Sequence, residues 1–299
     1  MNLSGKRLVI FGCGYVGSAV AEAALRAGAR VEALTRNPEK ADALRAAGVS
    51  RVVVAELSSA DWHGQLEGGA DFVVNCVSSG GGGAEGYRKS YFDGMASILG
   101  WAAKSPAPIG SLLYTSSTSV YAQGDGARID ETCVAEGGTA NGAIIRDSEK
   151  LLEAATAAQG RRWFVLRLAG IYGPGRHHLV DQLREGVPTL NGSGEHHLNL
   201  IHRDDIVSAI LTCLTAPAAV AGGIFNVADR APARRAEVVA WLAARLGRAV
   251  PAFDGSTTAR RGGAPMPDRI IVADKLGREL GWAPRYVDYR AGFENILSP

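Results

Sequence analysis

Short, valine-rich apolar runs alternate with alanine-rich stretches through the first half of the chain. Arg7 to Phe11, Arg30 to Leu34, Arg51 to Ala55, Asp71 to Val77, Gly110 to Thr115 and Trp163 to Leu168 are such runs. Their length and continuous apolar character suit strands buried on both faces of a parallel sheet. Helical stretches lie between them. Tyr15 to Ala27 stops at Gly28, and Pro38 to Ala47 is opened by Asn37 and Pro38 and stopped by Gly48, which are ordinary start and stop signals. Tyr87 to Lys104 and Ala143 to Ala158 supply two more helices. Strands alternating with helices predict the α/β class, with a doubly wound parallel sheet of Rossmann type.

After about residue 170 the texture changes. Gly173-Pro174-Gly175, Asn191-Gly192-Ser193-Gly194 and Gly262-Gly263-Ala264-Pro265-Met266-Pro267 interrupt shorter elements, as loops do. Gly223 to Val227 still reads as a strand and Arg234 to Leu246 as a helix. The expected organisation is therefore interleaved: residues 1–170 with about 200–247 in a dinucleotide-binding unit, and about 171–199 with 248–299 in a smaller substrate lobe. The glycine run Gly80–Gly83, following a strand, is expected to form a mobile loop.

Composition narrows the function. The 32 basic and 30 acidic residues are interspersed and leave a net charge of +2, so no basic stripe suggests nucleic acid as a partner. No run reaches the ~20 apolar residues of a membrane span. The N-terminus enters its first strand without a signal-peptide pattern, and Cys13, Cys76, Cys133 and Cys213 are widely spaced, against a disulfide framework. A cytoplasmic protein with a small-molecule substrate, monomeric or homodimeric, is the expectation. His196 and His197 are adjacent, and neighbouring side chains of an extended chain point to opposite faces, so no metal centre is expected.

The chemistry begins at Gly12-Cys13-Gly14-Tyr15-Val16-Gly17, between the first strand and the first helix. Here the first glycine permits the tight turn, the second lets backbone approach a pyrophosphate, and the third allows close helix–strand packing. The helix N-terminus then offers unpaired N–H groups and a positive dipole end to an anion. The next strand ends in Thr35-Arg36-Asn37 with no Asp or Glu. An acid there would hold the ribose of NAD, whereas arginine suits the 2′-phosphate of NADP, so NADP is favoured and NAD is the alternative. Cys13 fits the crowded turn as a small residue, although a helix N-terminus can lower a thiol pKa.

With these motifs the chain resembles the extended branch of the short-chain dehydrogenase/reductase superfamily, the NAD(P)-dependent epimerase/dehydratase group, over nearly its whole length. Tyr114-Thr115-Ser116-Ser117-Thr118-Ser119-Val120-Tyr121 is similar to the family's active-site serine strand. Arg167-Leu168-Ala169-Gly170-Ile171-Tyr172-Gly173-Pro174-Gly175 is similar to the segment passing the nicotinamide, and His202-Arg203-Asp204-Asp205 to a later signature. The resemblance implies that Ser117 hydrogen-bonds a substrate oxygen. The cofactor-contacting set is then Gly12, Gly14, Tyr15, Val16, Gly17, Thr35, Arg36, Cys76, Val77, Ser78, Ala169 and Gly170.

The resemblance also implies a Tyr-x-x-x-Lys pair about twenty residues beyond the serine, and the aligned positions hold Asn141 and Ile145. Asparagine does not titrate near neutrality and isoleucine carries no charge, so the usual proton relay does not carry over. Tyr121, four residues after Ser117, offers a phenol, and is weighed against a packed structural ring. Arg146 and the histidines His177 and His178 are further replacements. Two functions compete: an NAD(P)-dependent oxidoreductase or epimerase/dehydratase-like enzyme with a non-standard acid/base, acting on a carbonyl, alcohol or nucleotide-sugar, and a non-catalytic NADP-binding sensor or scaffold.

Overall fold

The structure is a computed structural model that describes residues 2–79, 81–105, 107–157, 159–256 and 266–298. Gly80, Ala158 and the Gly262–Pro265 part of the last glycine-rich stretch lie outside the described residues. Seven parallel strands form the central sheet: β1 (Arg7–Phe11), β2 (Arg30–Thr35), β3 (Arg51–Val54), β4 (Ala70–Asn75), β5 (Ile109–Ser117), β6 (Arg162–Leu168) and β7 (Gly222–Val227). Their spatial order is β7-β6-β5-β4-β1-β2-β3. Each expected run is a strand, displaced by at most two residues at an end. Leu8, Val9, Ile10 and Phe11 are buried together, as a strand covered on both faces requires.

The chain winds outward from β1 to β3 and, in the other direction, from β4 to β7. The direction reverses between β1 and β4, where Phe11 pairs in register with Asn75 on one side and Leu34 on the other. Such a switch point opens a crevice beyond the carboxyl ends of the strands. Helices α1 (Tyr15–Arg26) and α2 (Pro38–Ala46) follow β1 and β2, and Asn37 caps α2 by accepting the Lys40 N–H at 2.9 Å. Between β4 and β5 a helical stretch runs from Gly83 to Lys104, with π-helical bonding over Arg88–Asp93. Gly83 thus begins a helix and does not belong to a loop; Gly81 and Gly82, both at positive φ, make the turn into it. The portion Gly94–Lys104 packs against the helix Ala140–Ala157.

Apolar burial falls into two clusters. The larger spans both faces of the sheet and includes Phe11, Trp62 and Trp101, whose rings meet at 5.0 to 5.9 Å. The smaller gathers Tyr172, Val180, Leu183, Tyr289 and Phe293. The helix Arg235–Leu246, which the sequence groups with the first unit, buries Val238, Val239 and Leu242 in this second cluster, whereas Ile271, Leu276 and Trp282 belong to the first.

Candidate active site

The turn after β1 is built by the absence of side chains. Gly12 has φ +86°, and a Cβ on it would lie 2.6 Å from the Val77 backbone; a Cβ on Gly17 would collide with the Gly12 carbonyl. Gly14 differs, because a Cβ there would meet nothing within 4 Å. Two glycines are therefore demanded by the fold, while the third leaves backbone open toward the crevice. Gly14 is also the N-cap of α1 with no side-chain cap, so the first-turn N–H groups have no side-chain acceptor there. This cradle fits a dinucleotide pyrophosphate.

A cleft of about 540 Å³ lies at this point. It brings together Gly12, Gly14, Thr35, Arg36, Cys76, Val77 and Ser78 from the sequence-derived set. Tyr15, Val16, Gly17, Ala169 and Gly170 do not line it. Val16 and Gly17 are buried in the first turn of α1, and Ala169 and Gly170 follow β6, farther along the same sheet edge. Tyr15 turns the other way: its phenol donates to the Pro174 carbonyl at 3.0 Å, with the Arg176 and Arg203 guanidinium groups over its ring.

Sequence reading missed Lys40, Glu56, Ser58, Lys89 and Ser90, which supply further polar groups to the cleft wall. Glu56 follows β3 and pairs with Arg36 at 3.6 Å and Lys89 at 3.0 Å. Lys89 and Ser90 arrive on the π-helical segment, which no local periodicity announces. Cys13 is buried, and burial pushes its thiol up to about 12, in keeping with a packing role in the turn.

Ser117 ends β5 and caps a short turn, its Oγ accepting the Ser119 N–H at 3.1 Å. Because Oγ is the acceptor in that bond, its hydrogen stays available for a substrate oxygen. Opposite it, the helix Ala140–Ala157 approaches so closely that a Cβ on Gly142 would stand 2.5 Å from the Ser119 carbonyl. Asn141 is partly exposed there, while Ile145, at 4% exposure, belongs to the core. None of the eight tyrosines is followed four residues later by lysine.

Tyr121, the second catalytic candidate, is fully buried. Its phenol donates to Asn226 Oδ1 and accepts from Arg167 Nη1, both at 2.9 Å. Arg167 in turn grips buried Glu149 through Nε at 3.0 Å and Nη2 at 2.7 Å. Ser116 Oγ donates to the same carboxylate, and so does Arg146 at 3.2 Å. Arg146 also donates to the Ala135 carbonyl, so it is tied into this network and not solvated. Burial raises the Tyr121 pKa, against the lowering effect of Arg167.

Neither His177 nor His178 lines the cofactor cleft: His178 is exposed, and His177 Nδ1 lies 2.9 Å from Asp181 without hydrogen-bond geometry. His197 Nδ1 lies 2.7 Å from Asp268. His202 caps the helix Arg203–Leu214, its Nδ1 accepting the Asp204 N–H at 3.2 Å. Among the described residues no group of three His, Cys, Asp or Glu side chains is placed to hold a metal, and no helix is long and apolar enough to cross a membrane.

The model of the NAD dependent epimerase/dehydratase family matches residues 8–228, which carry the glycine turn, Ser117 and, but for Arg7, all seven strands of the sheet. The chain belongs to the NAD dependent epimerase/dehydratase family. Within the family's wider relations, it is 29% identical to Protein YeeZ of Escherichia coli K12 over 95% of this chain and 97% of that one. It is 25% identical to the dTDP-glucose 4,6-dehydratase of Mycolicibacterium smegmatis, over 97% of this chain and 91% of that one. The crystal structure of the UDP-glucuronic acid 4-epimerase from Bacillus cereus superposes with a TM-score of 0.83 at 18% identity, covering 97% of each chain, and shares the fold. Membership supports an NAD-dependent epimerase/dehydratase-like function and disfavours the non-catalytic sensor.

Proposed function

We propose that this chain is an NADP-preferring member of the family that acts on a hydroxyl or carbonyl carbon of a nucleotide-sugar-like substrate. The observation that carries the cofactor preference is the rim of the cleft. Arg36, just past β2, and Lys40, in the first turn of α2, line the cleft, and no carboxylate stands on that strand end. Glu32, within β2, is buried beneath Arg7 at 2.9 Å and faces no ribose. A 2′-phosphate there would compete with Glu56 for Arg36 and gain a charge-assisted pair.

When bound, the nicotinamide supplies a hydride acceptor. The protein's share is to hold the pyrophosphate on the α1 N-terminus, orient the substrate oxygen with the Ser117 hydroxyl, and keep that oxygen near the cofactor at the edge of β5. The proton does not travel through Tyr121, whose phenol is enclosed and doubly bonded; Tyr121 positions the loop after Ser117. With Asn141 and Ile145 at the aligned relay positions, the acid/base is non-standard. The nucleotide-sugar class rests on the UDP-glucuronic acid bound by the Bacillus cereus relative and on the dTDP-glucose named for the mycobacterial one.

Fluorescence titration separates the cofactors. NADPH is expected to bind at least about tenfold tighter than NADH, one charged contact's worth, and Arg36→Ala to erase the difference. Equal affinities in the wild type overturn the preference. A panel of UDP- and dTDP-sugars followed by NMR tests the reaction, with Ser117→Ala expected to lower kcat about a hundredfold and leave cofactor affinity intact. No conversion across the panel with cofactor bound counts against an enzyme of this substrate class.

A further inference from the structure

A second cleft, of about 670 Å³, shares no lining residue with the first. It lies between the short strand Arg269–Ile271, the helix Lys275–Leu280 and the loop after β7. Three arginines line it from three elements: Arg128 on the strand Ala127–Ile129, Arg230 in the loop, and Arg278 on the helix. All three are exposed, and among the described residues none has an ion-pair or side-chain hydrogen-bond partner. Arginines elsewhere are commonly engaged, as Arg7, Arg146, Arg162 and Arg167 are.

Two carboxylates also reach the cleft. Asp274 is exposed at the start of the helix. Asp229 is 4% exposed; one of its oxygens accepts the Ala231 N–H at 3.2 Å, while Oδ2 is buried and has no partner. Oδ2 is closed off from solvent, so Asp229 contributes wall to the cleft without offering that oxygen to a ligand. The apolar remainder of the wall comes from Ile270, Pro232 and Trp282.

We infer that this cleft binds a small phosphate ester, its phosphate held by Arg128, Arg230 and Arg278. Planar guanidinium forks suit phosphate oxygens, and the volume falls in the range of small-molecule sites. Burial, then the charges of Asp288 and Asp205, push Asp229 up to about 7 despite the Ala231 N–H. The near-balanced charge of the chain argues for a small ester over a nucleic-acid backbone. Occupancy also has a route to the active site. The wall strand begins at Arg269, whose guanidinium donates to the Thr118 carbonyl at 2.8 Å and the Tyr121 carbonyl at 2.6 Å, on either side of the turn after Ser117.

Calorimetric titration with inorganic phosphate, a hexose monophosphate and the free hexose tests the site. The hexose monophosphate is expected to bind tightest and the free hexose not to bind. Each of Arg230→Ala and Arg278→Ala should weaken the phosphate-bearing probes about tenfold. Arg36→Ala, in the cofactor cleft, should change none of these, which keeps the result separate from the cofactor reading. Circular dichroism confirms folding of the variants, whose arginines are exposed. No association at about 10 mM probe, binding of the free hexose as tight as its phosphate, or loss of binding with Arg36→Ala but not with the cleft arginines overturns the proposal.

Discussion

Gly12, Gly14 and Gly17 look equivalent as letters but carry different burdens. Gly12→Ala places a Cβ against Val77 at a positive φ, and Gly17→Ala drives one into the Gly12 carbonyl, so both should lower Tm as well as abolish cofactor binding. Gly14→Ala meets open space and should leave Tm of the free protein unchanged while weakening NADPH binding. Thermal melts with and without NADPH check this; a Gly14→Ala protein that melts early without ligand contradicts the division. Tyr121→Phe is a second residue-level case. It strips a buried partner from both Arg167 and Asn226 and should cost about 1–3 kcal/mol in chemical denaturation, with cofactor affinity preserved. The phenol was visible in the sequence as a catalytic candidate, four residues after Ser117. Its enclosure was not, because Arg167 and Asn226 come from strands 46 and 105 residues away.

At the scale of elements, the helix Ala140–Ala157 decides what can stand beside Ser117. Its approach through Gly142 brings Ile145 into the core. Installing the aligned pair by Asn141→Tyr with Ile145→Lys therefore asks the core to accept an ammonium. We expect the double variant to lose more than about 2 kcal/mol of stability, and calorimetry to show a Tm lower by roughly 5 °C or more. An unchanged Tm would mean that the lysine finds solvent, and the packing account of Ile145 would fail. The strands and helices themselves were legible from periodicity, since a parallel sheet covered on both faces imposes continuous apolar runs. The π-helical segment Arg88–Asp93 was not, because π bonding shifts the helix phase without changing composition, and with it went Lys89 and Ser90 of the cleft.

For the whole molecule, stability is linked to ligand and to pH. Cofactor at a hundred times its Kd should raise unfolding free energy by about 2.7 kcal/mol, an increment that Gly14→Ala should reduce at the same concentration. The pH dependence follows from Asp229. Its folded pKa of about 7 lies above the ordinary 3.8, so between those values the native state holds a proton that the unfolded state has released. Its contribution to stability is accordingly greatest below pH 4 and is lost as pH rises through 7. Asp229→Asn removes that dependence: relative to wild type, the variant should gain stability from pH 4 to about pH 7 and level off above it in urea titrations. A difference that does not change with pH would show that Asp229 is ionised throughout.

By itself the sequence determined what local chain physics controls: the alternation of buried strands and helices, the glycine turn with its anion-binding helix end, Ser117 at a strand terminus, and a β2 end without an acid. Those features are written in consecutive residues. Tertiary structure alone decided which side chains meet. The winding of the sheet carries Glu56 and Lys89 to Arg36, folds Tyr121 under Arg167, and sets Arg128, Arg230 and Arg278 around one cleft from positions 150 residues apart. Spacing along a chain fixes neighbours within a turn or a strand, and contacts between distant strands depend on how the whole sheet is wound.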